Sequence, residues 1–161
     1  MGPGGWLAAV EHGAVAVAIR SSSWLYPAIE TAHLLGVACL VGAAVLFDLR
    51  LLGLFRHLRV AELARAALPV ARAGFVLAAA TGALLFTTEA TTLAGNGAFR
   101  LKLLLLLVAL VNVAVFHRGA GRSMGGWSGE ADLPWPVRVA GAVSLCAWLG
   151  ALAAGQWIAY R

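Results

Sequence analysis

His33 stands three residues after Glu30 in an otherwise apolar stretch, so on a helix the two side chains are neighbours on one face. An imidazole can ligate heme iron or a metal ion, and a carboxylate one turn away can orient it or balance its charge. The same pair can instead hydrogen-bond to neighbouring helices and lock them together, or take up and release a proton. On the residues alone these readings stay open. Lys102 and Arg100 are the complementary candidates, placed to meet Glu30 or Glu89, to hold a heme propionate or lipid phosphate, or to snorkel toward headgroups. His117 is a second candidate ligand, but it belongs to a separate site if it binds at all. His33 falls early in its helix and His117 late in a helix of the same direction, a difference in depth of about 16 Å. One iron cannot reach both. Asp48 and Arg50 are expected to pair with each other or with loop arginines, and Asn112 to bond to a neighbouring helix. His12 and His57 have no ligand spacing around them.

The elements that must position these groups are transmembrane helices. The chain is 161 residues long, 61% hydrophobic and 12% charged, with a mean hydropathy of +0.87. Soluble domains are nearer half apolar and a quarter charged, so this is the composition of an all-α integral membrane four-helix bundle. The apolar runs predict spans at about 25–47, 68–88, 99–117 and 137–158. Residues 5–20, with Trp6 as anchor, predict a helix lying at the membrane interface. A short surface helix is expected at 54–66, a polar loop after Glu89, and an exposed Gly- and Ser-rich loop at 118–135. Glu30 and Asp48 share a face of the first span, since 18 steps make five whole turns. Gly36 and Gly42 are spaced for close helix contact, and Gly74, Ala78, Thr81, Gly82 and Thr88 form a small-residue stripe.

Charge placement gives an orientation. Arg50, Arg56, Arg59, Arg65, Arg72, Arg118, Arg122 and Arg138 fall toward one side, against Arg20, Arg100, Lys102 and Arg161 toward the other. The positive-inside rule puts the first side in the cytoplasm and both termini outside. The formal charge of +5 therefore reads as topology, and nucleic acid is not an expected partner. Cys39 and Cys146 lie in apolar runs without CxxC spacing, as small core residues do. No metalloprotease, c-type heme, nucleophile-elbow or phosphate-loop motif occurs. No catalytic motif argues for an enzyme.

The string Trp24-Leu-Tyr-Pro-Ala-Ile-Glu-Thr-Ala-His-Leu-Leu-Gly36, followed by Phe47-Asp-Leu-Arg-Leu-Leu-Gly53, resembles a family of uncharacterised small four-helix bacterial inner-membrane proteins, a domain of unknown function. Ala73-Gly-Phe75, Thr81-Gly82 and Asn96-Gly-Ala-Phe-Arg-Leu-Lys102, leading to Asn112 and Phe116-His117, extend the likeness over nearly the whole chain. It implies a bacterial inner membrane and no particular activity. More loosely, the first span is similar to copper-resistance membrane proteins and b-type cytochromes, though the paired His of such cytochromes is not present at one depth. The leading expectation is a redox or metal-handling subunit binding heme b or copper at His33. The alternatives are a noncatalytic anchor of a larger membrane complex, or a small proton- or cation-coupled transporter. Expected partners are membrane lipid and either other membrane subunits or further copies of the chain.

Overall fold

In hydrocarbon every backbone N–H and C=O must be satisfied internally, so long apolar runs such as these can cross a membrane as helices. The computed structural model describes residues 5–119, 121 and 133–160, and among these there are helices and no strands. Two short helices, α1 (Gly5–Glu11) and α2 (Ala14–Ser21), precede the long α3 (Leu25–Leu51) and α4 (Val60–Thr88). The short α5 (Ala90–Gly95) then leads to α6 (Gly97–Arg118) and α7 (Trp135–Trp157), which ends in a 3-10 turn at Ile158–Tyr160. Helices α3, α4, α6 and α7 are each long and apolar enough to cross a membrane, which makes this a multi-pass membrane protein.

Local signals set the ends. The Ser22 hydroxyl accepts from the Leu25 N–H at 3.3 Å, and Pro27 sits in the first turn of α3. Asn96 caps α6, its side-chain oxygen accepting from Ala98 N at 2.8 Å and Phe99 N at 3.2 Å. Pro134 and Pro136 open α7.

Several boundaries differ from the sequence reading. The N-terminal segment is two helices, broken at His12 and Gly13, and α5 occupies part of the expected polar loop. No separate helix covers 54–66: residues 52–59 turn, with Gly53 at φ +102°, and α4 is already under way at Val60. Val60, Ala64 and Ala67 are buried on one stripe, and that packing carries the helix through Pro69. Of the expected loop at 118–135, residues 120 and 122–132 lie outside the described residues, as does Arg161.

The bundle is two hairpins, α3 with α4 and α6 with α7, joined where α3 packs on α7. Gly36 and Gly74 make the first hairpin tight. A Cβ on Gly36 would lie 2.7 Å from the Ala78 nitrogen, and one on Gly74 2.6 Å from the Leu40 nitrogen. Gly42 has open space instead. One apolar cluster, Phe47, Leu51, Val60, Ala64, Phe116, Leu133 and Val137, closes the end of the bundle near Asp48. A second, Leu40, Ala109, Ala147 and Trp148, lies midway along it.

The N-terminal helices are tied to the opposite end, near Glu30. The Glu11 carboxylate accepts from Thr91 N at 2.9 Å and from the Thr91 hydroxyl at 2.5 Å. Arg20 donates to the carbonyls of Thr88 at 2.9 Å and Glu11 at 2.7 Å. The Thr91 hydrogen bonds hold the Glu11 carboxyl below its ordinary pKa, with smaller help from the charges of His12 and Arg20.

Candidate functional site

Because α3 contacts both α4 and α7 while α4 and α6 make no extended contact, a cleft runs along the bundle between α4 and α6. It holds two cavities. The one toward the Glu30 end has a volume of about 570 Å³ and is lined by residues of all four long helices. Its polar lining is Glu30, His33, Lys102 and Gln156, and the remainder is apolar.

His33 is held from the neighbouring helix. Its Nδ1 lies 2.9 Å from the Ala78 carbonyl and 3.2 Å from the Thr81 hydroxyl, both on α4. A Cβ on Gly82 would come within 3.0 Å of the ring, so the glycine is the space the imidazole occupies. With Nδ1 donating to a carbonyl, Nε2 keeps its lone pair, and no side chain or backbone group among the described residues bonds to it. That is the arrangement that fixes tautomer and orientation in a metal-ligating histidine. Glu30 and Lys102 both lie within electrostatic reach of the ring. Lys102 runs along the bare face of Gly155, where a Cβ would sit 3.5 Å from Nζ.

The other candidates fall elsewhere. Arg100 is exposed, gives Nε to the Ala94 carbonyl at 3.0 Å, and lines neither cavity. His117 lies 2.8 Å from the Val113 carbonyl of its own helix and faces the second cavity. The two histidines therefore line different cavities. Asn112 reaches across to the Ala140 carbonyl of α7 at 2.9 Å. Among the described residues no three His, Cys, Asp or Glu side chains gather as a metal site would need.

Asp48 is the residue whose setting differs most from its sequence reading. It is 3% exposed, has the Ser144 side chain of α7 at its carboxyl, and among the described residues its Oδ2 has no hydrogen-bond partner. The Arg50 Nε goes to the Leu58 carbonyl at 2.7 Å. The helical spacing from Glu30 already put Asp48 on the cavity-lining side of α3, but which helix would face it there was not readable. Arg72, counted from sequence near the arginine-rich end, lies twelve residues into α4 and lines the same cavity.

A helical bundle with four membrane-length helices and a polar cluster at one end of a lateral cleft defines the class: a small multi-pass helical membrane protein. The chain belongs to a family of unknown function, DUF6644, whose model matches residues 20–161. No curated protein and no solved structure matches it.

Proposed function

We propose that the cavity at the Glu30 end holds a flat amphiphilic cofactor, heme b, with His33 as the ligand to iron. The protein then acts as a small electron-transfer subunit of the bacterial inner membrane. The observation that carries the reading is the His33 ring itself: Nδ1 is pinned to Ala78 and Thr81, and Nε2 is left unbonded beside a large cavity. A volume near 570 Å³ lies within the range of about 300–1,000 Å³ usual for cofactor and ligand pockets. The donor set favours heme over copper. A bare copper ion needs several protein ligands, whereas heme iron can be held by one proximal histidine. Lys102 at the polar rim suits a propionate, and Glu30 offsets its charge. Bound heme would supply one-electron chemistry; the chain's own part is to ligate, orient and exclude water. The arginine-rich Asp48 end faces the cytoplasm on this reading, with both termini and the His33 cavity on the outer side.

The test is an absorption spectrum of protein purified from heme-replete cells, oxidised and then reduced with dithionite. A Soret band that sharpens on reduction and disappears in His33→Ala, with the helical fold intact, is the expected result. A flat spectrum with no iron by elemental analysis overturns the heme reading.

One observation favours a second reading, a proton- or cation-coupled transporter: the two cavities abut, sharing Leu40, Phe75, Leu110 and Trp148 as a common wall. PH-dependent flux in reconstituted vesicles, abolished by Glu30→Gln, is what that reading requires.

A further inference from the structure

The second cavity, of about 410 Å³, is lined by a residue with a buried acceptor, Asp48 Oδ2, that no group among the described residues satisfies. Asp48 lines it at 3% exposure, with Ser144 at the carboxyl and Oδ2 without a hydrogen bond among the described residues. An unpartnered buried carboxyl is costly, and few native structures leave one without a reason. Four aromatic side chains, Phe47, Phe75, Phe116 and Trp148, line the same cavity. Ring faces attract cations, most strongly where water is excluded. A carboxyl acceptor surrounded by aromatic rings in an apolar cavity is complementary to one kind of ligand.

The geometry points to a binding site for a hydrophobic organic ammonium, its N–H directed at Asp48 Oδ2 and its apolar body among the aromatic rings. The other charged lining residue does not already fill that role. Gly36 beside Gly74 and Ala78, and His33 beside Ala78, fix the antiparallel register of α3 and α4. In that register Arg72 stands about 10 Å along the axis from Asp48, toward the middle of the bundle. Arg72 is exposed and makes no hydrogen bond within the described residues, and Oδ2 has no partner from it. His117 is held by its own helix through Nδ1. Among the described residues no side chain bonds to Oδ2, and that position is left to a ligand. Entry is lateral, through the cleft between α4 and α6, where an amphiphilic cation partitioned into the bilayer would arrive.

The site shares a wall with the His33 cavity, but Asp48 lines only this cavity and His33 only the other, so the two proposals are tested at different residues. The probe is phenylbutylammonium, titrated calorimetrically into the full chain in lipid nanodiscs, with empty nanodiscs subtracted and the neutral phenylbutanol as comparison. The expected result is saturable binding that favours the cation. Asp48→Asn, close in shape, should weaken cation binding by about tenfold or more and leave the alcohol unchanged. Ala71→Phe, which fills the cavity without touching the carboxyl, should abolish the cation preference as well. Equal affinity for cation and alcohol, or cation binding unaltered in Asp48→Asn, overturns the assignment. Should Asp48→Asn not fold, Ala71→Phe decides: a retained cation preference places the site elsewhere and rejects it. Asp48→Asn should not alter a heme spectrum assigned to His33, since Asp48 does not line that cavity.

Discussion

The His33 imidazole is fixed by the helix beside it as much as by its own. Ala78 and Thr81 hold its Nδ1 edge, and Gly82 leaves the space in which the ring lies. Valine at position 82 would put branched carbons into that space, and the ring would have to turn off Ala78. Gly82→Val should therefore destabilise the protein by about 1–3 kcal/mol, the usual penalty of overpacking, read as a lower unfolding temperature in detergent. Thr81→Val should cost less, about 1 kcal/mol, because the Ala78 carbonyl still accepts from Nδ1. Equal losses in the two variants would mean that the hydroxyl, not the space, positions the ring. At this scale Glu30 and His33 were legible, since i, i+3 spacing in an apolar helix makes neighbours without tertiary help. That Lys102 joins them depends on which helices face, and Arg100, two residues away, points elsewhere. The setting of Asp48 was not legible either, because only packing against α7 brings Ser144 to its carboxyl.

At the scale of elements, each long helix was readable from hydropathy, and the errors lie at the ends. The charged residues between 56 and 65 and Pro69 concealed an apolar stripe, Val60, Ala64 and Ala67, that belongs to α4. Among the small residues, Gly36 and Gly74 make the close approach while Gly42 faces open space, a distinction that periodicity cannot draw. The helix pair α1–α2, expected at the membrane surface, also docks on the bundle. Ala16 and Ile19 are buried, and Glu11 and Arg20 bridge to α5 and the end of α4. This docking should depend on pH. The folded state holds the Glu11 carboxyl below its ordinary pKa, so its contribution is complete above the unfolded value and is lost as pH falls through the folded one. Below about pH 4, amides of α1 and α2 should exchange faster while those of α3 and α4 stay protected. Glu11→Gln should show the faster exchange already at neutral pH. Exchange in α1–α2 that ignores both acid and the substitution would mean that apolar burial alone holds the pair.

For the whole molecule, the order of packing, α4 beside α3, α3 beside α7, α7 beside α6, leaves the α4–α6 side only locally closed, by the Phe86–Phe99 stack, and places both cavities along it. What this arrangement can do depends on which end meets which compartment. Among the described residues the Asp48 end carries Arg50, Arg56, Arg59, Arg65, Arg118 and Arg138, against Arg20, Arg100 and Lys102 at the Glu30 end. Arg72 no longer counts for either end, being deep in α4, and the bias survives without it. Cysteines placed singly at Arg56 and Gly95, in a Cys39→Ala, Cys146→Ala background, sample the two ends by way of the 52–59 turn and α5. A membrane-impermeant maleimide on intact bacterial cells should label position 95 and leave position 56 unlabelled until the membrane is opened. That outcome puts the His33 cavity on the outer face, where an electron would be exchanged with partners outside the cytoplasm. Labelling at 56 and not at 95 would invert the molecule. The His33 cavity would then open toward the cytoplasm, the Asp48 cavity would lie in the outer half, and an ammonium from outside would meet Asp48 first.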